Sequence, residues 1–292
     1  MYSTRVFVAT ILAAISLSSR AAEQSLKVMT FNLRYASDKG PNAWPDRRPV
    51  MKQCLESSNP DLIGTQEGLY PQLKDIEHDL PRYRWIGLGR EGGSKGEFMA
   101  IYYKHERFEP LQFDHFWLSD TPEVIGSSTW GNSNRRMVTW VRFKDNSNGR
   151  EFYLVNTHFD HQIQPAREKS AELLLARVQK LDQTIPIIVS GDFNARAGSN
   201  KAYEILTNSG YLTDTWNTAR EKRGRALDTF HNFKGPSPGD FRIDWILGRG
   251  IQTSWIEIDT CAKDFQFPSD HFPVIAKIEL SDLKDSAPPS GK

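Results

Sequence analysis

Short runs in which apolar and polar residues alternate recur along most of the chain. This pattern predicts β-strands at 26–31, 61–64, 98–103, 108–118, 138–143, 152–155, 185–189, 243–247 and 274–280. Apolar residues at helical spacing predict helices at 49–57, at 201–207 and from Pro165, a residue suited to a first helical turn. The strands between 98 and 155 follow one another without a helix, so strict strand–helix alternation is absent. We therefore predict an α/β fold of two mixed sheets packed face to face, with helices outside.

The first 22 residues have the pattern of a secretory signal peptide. Arg5 precedes an apolar stretch at 6–17, and small residues around Ala21 and Ala22 offer a cleavage site. A membrane span needs ~20 apolar residues, and this stretch is shorter. We expect cleavage, with retention as an anchor as the alternative. The mature protein is then exported to the periplasm or the extracellular space, without an integral membrane segment.

No repeat, low-complexity tract or linker interrupts the rest of the chain. We assign one domain to 26–280 and a polar tail to 281–292. The 292 residues are 38% hydrophobic and 25% charged, which excludes bulk disorder and fibrous repeats. A net charge of +1 gives no general attraction to nucleic acid. We expect a monomer in which Cys54 and Cys261 are free thiols rather than a disulfide.

Polar residues cluster where the predicted strands end. They are Asn32, Glu67, Asn156, His158, Asp192, Asn194, Asp244, Asp270 and His271. Residues at the ends of different strands can converge on a common rim. Carboxylates, amides and imidazoles together suit hydrolysis of a phosphate ester with a bound divalent cation. Taken singly, each also has a structural explanation, such as a turn residue or a histidine satisfied within the core. His158 and His161 lack the third ligand of a usual zinc site.

Six segments, taken in order, resemble the signature blocks of the endonuclease/exonuclease/phosphatase superfamily, which has the deoxyribonuclease I-like fold. They are Thr30-Phe31-Asn32, Gln66-Glu67, Asn156-Thr157-His158, Gly191-Asp192-Phe193-Asn194, Arg242-Ile243-Asp244-Trp245 and Ser269-Asp270-His271. The resemblance spans 26–280 and implies a four-layered α-β-β-α sandwich with its active site at one edge of the two sheets. It also implies a metal-dependent phosphoric ester hydrolase.

The resemblance implies a role for each matching residue. Glu67 is the principal ligand of Mg²⁺, or alternatively of Mn²⁺, and Asn32 and Asp270 lie beside the ion. Asp192 and Asn194 position the attacking water and help to deprotonate it. The number of metal ions stays open.

Two histidines complete the implied set. Asp244 holds His271 through a carboxylate–imidazole hydrogen bond, and either His271 or Asp192 is the general base. His158 contacts the scissile phosphate and is a candidate proton donor to the leaving oxygen. Glu97 occupies the place of a carboxylate partner for His158.

The substrate is defined less closely. Arg136 matches a family arginine that touches phosphate, with Arg135 as the alternative. Basic and aromatic residues at 130–136, and at 220–225 leading to 229–234, suit phosphate contact and base stacking or a solvated loop. We expect an exported Mg²⁺-dependent phosphodiesterase that acts on a phosphate ester, with a nuclease preferred. The alternatives are an inositol-phosphate or sphingomyelin-type lipid headgroup phosphoesterase, and a catalytically inactive binding protein on the same scaffold.

Overall fold

A computed structural model describes residues 25–283, in which two large sheets pack face to face and helices cover the outer face of each. The predicted four-layered α/β sandwich is confirmed. The predicted signal peptide at 1–22 and the predicted tail beyond residue 283 lie outside the described residues. Within 25–283, none of the helices is long and apolar enough to cross a membrane.

The larger sheet is mixed. Numbered along the chain and given in spatial order, its seven strands in the described residues are β12 (Glu221–Arg223), β14 (Ile251–Ile258), β15 (Val274–Leu280), β1 (Ser25–Asn32), β2 (Leu62–Gln66), β6 (Ile101–Lys104) and β4 (Tyr83–Ile86). β1 runs parallel to β2, and their register places Asn32 opposite Gln66 where both strands end. Because Glu67 directly follows β2, Asn32 and Glu67 lie at the same edge of the sheet.

The second sheet is also mixed. In the same part of the chain its six strands are, in spatial order, β11 (Thr213–Asp214), β13 (Asp244–Arg249), β10 (Ile187–Asp192), β9 (Glu151–His158), β8 (Met137–Asp145) and β7 (Phe108–Trp117). β10 is parallel to β9 and antiparallel to β13, so Asp192 is opposite His158 on one side and Asp244 on the other. Three predicted site residues therefore form one row across adjacent strands.

In the described residues the helices are α1 (Trp44–Ser58), α2 (Tyr70–Asp79), α3 (Gln164–Val178), α4 (Lys201–Thr207) and α5 (Thr215–Thr218). The first four form the two outer layers, and α5 packs Trp216 into the core between the sheets. A short antiparallel pair, β3 (Gly68–Leu69) and β5 (Glu97–Phe98), follows the end of β2. Pro165 stands in the first turn of α3, where its missing N–H removes no intrahelical hydrogen bond.

Apolar cores lie between each pair of neighbouring layers. α1 and α2 bury Met51 and Leu73 against the outer face of the larger sheet. α3 and α4 bury Leu174 and Leu206 against the outer face of the second sheet. A third core lies between the sheets and includes Ile188. Because full burial of one such side chain contributes ~1.5–3 kcal/mol, these cores supply most of the driving force for folding.

Several elements differ from the predictions. α1 begins at Trp44 rather than at residue 49 and contains Pro49, which lies close enough to the helix start for the helix to continue through it. The pattern does not predict α2, whose only buried apolar residues are Leu73 and Ile76. It also misses β14, where the inward position of Thr253 is polar.

Cys54 and Cys261 form a disulfide with their Cα atoms 5.7 Å apart, so the expectation of two free thiols is wrong. The two residues are 207 positions apart in the sequence, where spacing carries no information about distance. The bond ties α1 to the segment that leads toward Asp270.

Candidate active site

The predicted site residues meet around one cavity at the edge where the polar strand ends converge. The cavity encloses about 430 Å³, and its walls include Glu67, Glu97, Arg136, His158, Asp192, Asn194, Asp270 and His271. Asn32 and Asp244 lie directly behind this wall. Asn32 donates hydrogen bonds to Glu67 and Asp192, and Asp244 contacts His271. All ten predicted residues therefore belong to one connected site.

Asp192, Asp244 and His271 form a buried cluster. The His271 Nδ1 atom lies 3.0 Å from Asp244 Oδ2, and its Nε2 atom lies 3.8 Å from Asp192 Oδ2. Burial alone would lower the pKa of His271, but Asp244 and Asp192 outweigh it and raise the pKa to about 10. Burial raises the pKa of Asp192, and repulsion from Asp244 adds to this rise. The two carboxylates therefore favour the protonated form of His271.

His158 is a neutral histidine with a defined tautomer. Arg136 Nη1 lies 2.9 Å from His158 Nδ1, and a guanidinium can only donate, so Nδ1 is the unprotonated nitrogen. The proton is then on Nε2, which faces Asp192 Oδ2 at 3.4 Å. The Asn194 amide nitrogen, 3.0 Å from Nε2, is itself a donor and donates to the Phe159 carbonyl oxygen at 3.1 Å. Burial lowers the pKa of His158 well below its usual range, and the charge of Arg136 lowers it further.

Glu97 does not pair with His158, so that expectation is wrong. The Glu97 carboxylate binds Arg90 instead, with Arg90 Nη1 2.6 Å from Glu97 Oε2. Both ring nitrogens of His158 already face Arg136, Asn194 and Asp192. Glu97 still lines the cavity, where burial raises its pKa and Arg90 opposes the rise.

Side chains whose oxygen atoms could bind a divalent cation lie at the end of the larger sheet. Asn32 Nδ2 is 3.1 Å from Glu67 Oε1 and 3.0 Å from Asp192 Oδ2. The Arg34 guanidinium lies 3.9 Å from Glu67 Oε2 and 3.7 Å from Asp270 Oδ2, so both carboxylates already face a positive group. Carboxylate and amide oxygens are the ligands that Mg²⁺ prefers. These residues therefore fit the implied ion.

A second group of possible ligands overlaps the first. One atom each from Asp192, Asp244 and His271 lie within 4.8 Å of one another. In that group a hydrogen bond between Asp244 and His271 already uses the imidazole. Asp192 belongs to this group and also accepts a hydrogen bond from Asn32, so it lies between the two groups of possible ligands.

Four residues of the cavity wall have left-handed backbone conformations, which residues other than glycine seldom adopt. They are Arg34 (φ 53°), Glu67 (φ 64°), Asn194 (φ 48°) and Asn232 (φ 49°). Asparagine tolerates this region, whereas for Arg34 and Glu67 it costs ~1–3 kcal/mol each. Such strain persists where surrounding structure enforces it, and it clusters at functional sites. The sequence carries no signal of it.

Arg47 is a site residue whose role the sequence does not reveal. Its side chain is fully buried in α1, and its guanidinium donates to the carbonyl oxygens of Leu33, Arg34, Tyr35, Asn42 and Pro268 at 2.7–3.2 Å. Three of these carbonyls follow Asn32, and that of Pro268 precedes Asp270. Arg47 therefore holds together the two loops that carry Asn32 and Asp270. Its partners are backbone carbonyls, which leave no trace in the sequence.

The basic segment 220–225 does not reach the cavity wall. It contributes β12 at the edge of the larger sheet, where Arg223 stacks on Trp255 at 4.3 Å and Lys222 lies over Trp216. From 229–234, Phe230 and Asn232 do line the cavity. Of the segment 130–136, Asn134 and Arg136 line it, which favours Arg136 over Arg135 as the phosphate-facing arginine.

Known proteins share both the sequence pattern and the fold. The model of the endonuclease/exonuclease/phosphatase family matches residues 29–271. A member of that family from Bacteroides thetaiotaomicron is 34% identical, with 89% of this chain and 98% of that chain covered and a TM-score of 0.83. A mannosyl-6-phosphatase of the same organism is 33% identical, with 87% and 99% covered and a TM-score of 0.81. The catalytic domain of human nocturnin, at 18% identity, 88% and 94% coverage and a TM-score of 0.68, shares the fold.

The family match spans the residues that build the cavity, from β1 to His271. Its relatives include a phosphatase, and the acidic and imidazole groups needed for such chemistry are all in place. The chain belongs to the endonuclease/exonuclease/phosphatase family and is a metal-dependent phosphoester hydrolase.

Proposed function

We propose that this protein is a Mg²⁺-dependent phosphatase that releases inorganic phosphate from small sugar phosphates. The observation that carries the proposal is the cavity, which combines the hydrolytic residues with two arginines, Arg34 and Arg136. Its volume of about 430 Å³ suits a molecule of the size of a monosaccharide phosphate. The 33% identity with a mannosyl-6-phosphatase across 87% of the chain supports the same class of substrate.

A fixed arginine in the cavity wall, Arg136, favours a phosphate monoester over a diester. A monoester carries close to two negative charges at neutral pH because its second pKa is about 6, whereas a diester carries one. Arg136 is buried, and its terminal nitrogens contact His158 and His161, which fixes the guanidinium in the wall. A fixed guanidinium stabilises a dianion without further loss of side-chain entropy.

The residues divide the chemistry among them. Glu67, Asp270 and Asn32 would hold Mg²⁺, which neutralises phosphate charge and polarises the phosphorus–oxygen bond. Asp192, hydrogen-bonded to Asn32 and to the backbone N–H of Asn194, accepts the proton of the attacking water. The bond between phosphorus and the leaving oxygen breaks, and that oxygen takes a proton from solvent. The protonated His271 stabilises negative charge that develops on the phosphate. Of the two candidate bases, Asp192 is therefore favoured over His271.

The preference for a nuclease draws on basic and aromatic residues at 130–136, 220–225 and 229–234. Asn134, Arg136, Phe230 and Asn232 line the cavity, whereas residues 220–225 do not. An extended polyanion also needs a long basic groove. Diester cleavage therefore becomes the outcome that would count against the proposal.

We also propose that the protein is exported. The signal-peptide pattern at 1–22 supports export, and so does the disulfide between Cys54 and Cys261. Disulfides persist in the periplasm and outside the cell and are rare in the cytosol. Fractionation of cells that express the full chain, with N-terminal sequencing of the product, tests this. A cytoplasmic product that starts at Met1 would refute it.

A substrate panel tests the proposed activity. Purified residues 23–292, with the disulfide intact, are assayed with hexose 6-phosphates, p-nitrophenyl phosphate, bis-p-nitrophenyl phosphate, inositol phosphates, sphingomyelin, duplex DNA and RNA. We expect phosphate release from hexose phosphates with Mg²⁺ or Mn²⁺, and loss of activity in EDTA that added Mg²⁺ restores. Faster cleavage of DNA, RNA or the synthetic diester would refute the monoesterase assignment. Undiminished activity in EDTA would refute metal dependence.

A further inference from the structure

One wall of the cavity carries polar residues that the hydrolytic chemistry does not use. Arg90 joins two of them, since its Nη1 lies 2.6 Å from Glu97 Oε2 and its Nη2 lies 3.4 Å from Asn134 Oδ1. All three residues line the same cavity as His158 and Asp192.

The wall is held rigidly in place. The Arg90 N–H donates to the Glu97 carbonyl at 2.9 Å, and Trp117 Nε1 donates to the Arg90 carbonyl at 2.8 Å. The loop that joins Arg90 to Glu97 folds back against Gly89, where a Cβ atom would lie 2.1 Å from the Lys95 carbonyl oxygen. A preorganised wall binds a ligand without a further entropic cost of ordering.

A carboxylate in a cavity for phosphate weakens binding of the anion by repulsion unless it has another partner. Arg90 occupies one oxygen of Glu97, and the described residues place no hydrogen-bond donor on the other, Oε1. The Arg90 guanidinium has five N–H donors, more than its contacts with Glu97 and Asn134 use. A free acceptor beside such donors matches hydroxyl groups, each of which donates one hydrogen bond and accepts others.

Two aromatic side chains complete the surroundings. Tyr35 and Phe230 line the cavity with 40% and 41% of their surface exposed. The Phe230 ring lies 5.0 Å from that of His271, so it stands next to the reacting groups. Ligand sites commonly combine aromatic surface with a few polar groups that fix orientation.

We propose that Arg90, Glu97 and Asn134 bind the hydroxyl groups of the leaving group, while Phe230 packs against its carbon skeleton. This inference rests on the proposed phosphatase function and narrows it to substrates whose leaving group carries adjacent hydroxyls. Glu97 is then a specificity residue, and not the partner of His158.

Substrate selectivity tests this assignment. We compare kcat/KM for a hexose 6-phosphate and for p-nitrophenyl phosphate, whose leaving group has no free hydroxyls, in wild type, Glu97→Ala and Glu97→Gln. We expect the ratio of the two values to fall about tenfold to a hundredfold in Glu97→Ala, the worth of one charge-assisted hydrogen bond. The loss should be smaller in Glu97→Gln, which keeps an acceptor. Inhibition by the free hexose should weaken in parallel.

Glu91 offers a matched control in the same loop. It also pairs with an arginine, at 3.8 Å from Arg135, but it does not line the cavity. Glu91→Gln should leave both activities and their ratio unchanged, and thermal melting should confirm that every variant is folded. An unchanged ratio in Glu97→Ala, or an equal loss on both substrates, would overturn the subsite while wild-type hydrolysis of both keeps the phosphatase. Wild-type inactivity on both monoesters would instead overturn the proposed function.

Discussion

The interior between the two sheets has two ends that the same strands build in different ways. At one end the inward-facing residues are apolar, as at Val28 in β1 and Ile188 in β10. Two residues further along, the same faces carry the buried Thr30 and Ser190, and two residues further still they reach Asn32 and Asp192. Because side chains alternate across a strand, each step of two stays on the same face.

The difference shows how a sandwich positions a charged site without losing its core. Between the two ends lies a layer of buried polar residues, the polar middle, which includes Thr30, Ser190 and Asn156. The Asn156 amide nitrogen donates to the carbonyls of Thr65 and Ala100, and its amide oxygen accepts from Gln66. These bonds satisfy buried polar groups and join the two sheets beneath the cavity. Stability is therefore concentrated at the apolar end, whereas the polar end is built for function.

Loss of Asp192 should have the largest effect on activity with little effect on stability. In Asp192→Ala we expect kcat to fall by about 10³-fold, because the proposed base is removed. The free energy of unfolding should change by only about 1 kcal/mol, since His271 keeps its bond to Asp244 and the repulsion between the two carboxylates is relieved. Steady-state kinetics with Mg²⁺ and chemical denaturation measure the two effects. Turnover close to wild type would refute the role of Asp192.

Truncation of Ile188, four residues earlier on the same strand, should have the opposite effect. Ile188 is fully buried in the core between the sheets. Ile188→Ala should lower the free energy of unfolding by about 2–5 kcal/mol through lost burial and a residual cavity. The kcat/KM of the folded enzyme should stay within about threefold of wild type, well below the effect of removing an acid–base group. A large kinetic loss at a temperature where the variant is fully folded would show that the two ends are not separable.

A substitution in the polar middle should lower both stability and activity. At Gly64 in β2, a Cβ atom would lie 2.3 Å from Ser190 Oγ and 2.7 Å from Asn156 Oδ1. Gly64→Ala should therefore force the sheets apart, at a cost of about 1–3 kcal/mol in stability. We also expect reduced kcat, because Asn156 is two residues from His158 on the same face of β9.

The double variant Gly64→Ala/Ser190→Ala supplies the control for this substitution. It removes the nearer of the two contacts, so it should recover part of the lost stability. Denaturation midpoints and kcat are compared with those of Ser190→Ala alone. No recovery in the double variant would argue against crowding at this position.

The change from apolar to polar residues along these strands explains why the sequence predicts the central site. Four site residues each stand at one end of a strand with an apolar pattern: Asn32, His158, Asp192 and Asp244. A prediction of the strands therefore also predicts where these residues lie. The motifs of the family then connect the row to Glu67, Asp270 and His271. Strand periodicity and ordered motifs are local signals, and both survive in a single sequence.

The remaining features depend on long-range geometry. Arg34 and Arg90 lie in loops whose backbone places them at the cavity, and no periodicity marks such positions. Motif position pairs Glu97 with His158, whereas in the structure its carboxylate binds Arg90. The pairing of Cys54 with Cys261 likewise depends on the packing of α1 against a distant loop.

Substitution of Arg47 should have the smallest and most selective effect. Arg47 holds the loops at the polar end together and lies outside the apolar core between the sheets. Burial lowers the pKa of Arg47 to about 10, so the guanidinium stays charged at neutral pH. Lysine has three donors, too few for the five carbonyls, so Arg47→Lys should lower stability by about 1 kcal/mol. Mn²⁺ affinity, measured by titration calorimetry, should fall about threefold to tenfold because the loops of Asn32 and Asp270 loosen. Arg48→Lys, on the exposed side of α1 with its ion pair to Asp79, is the matched control. Equal Mn²⁺ affinity in Arg47→Lys and wild type would mean that the metal-site loops hold their positions without this guanidinium.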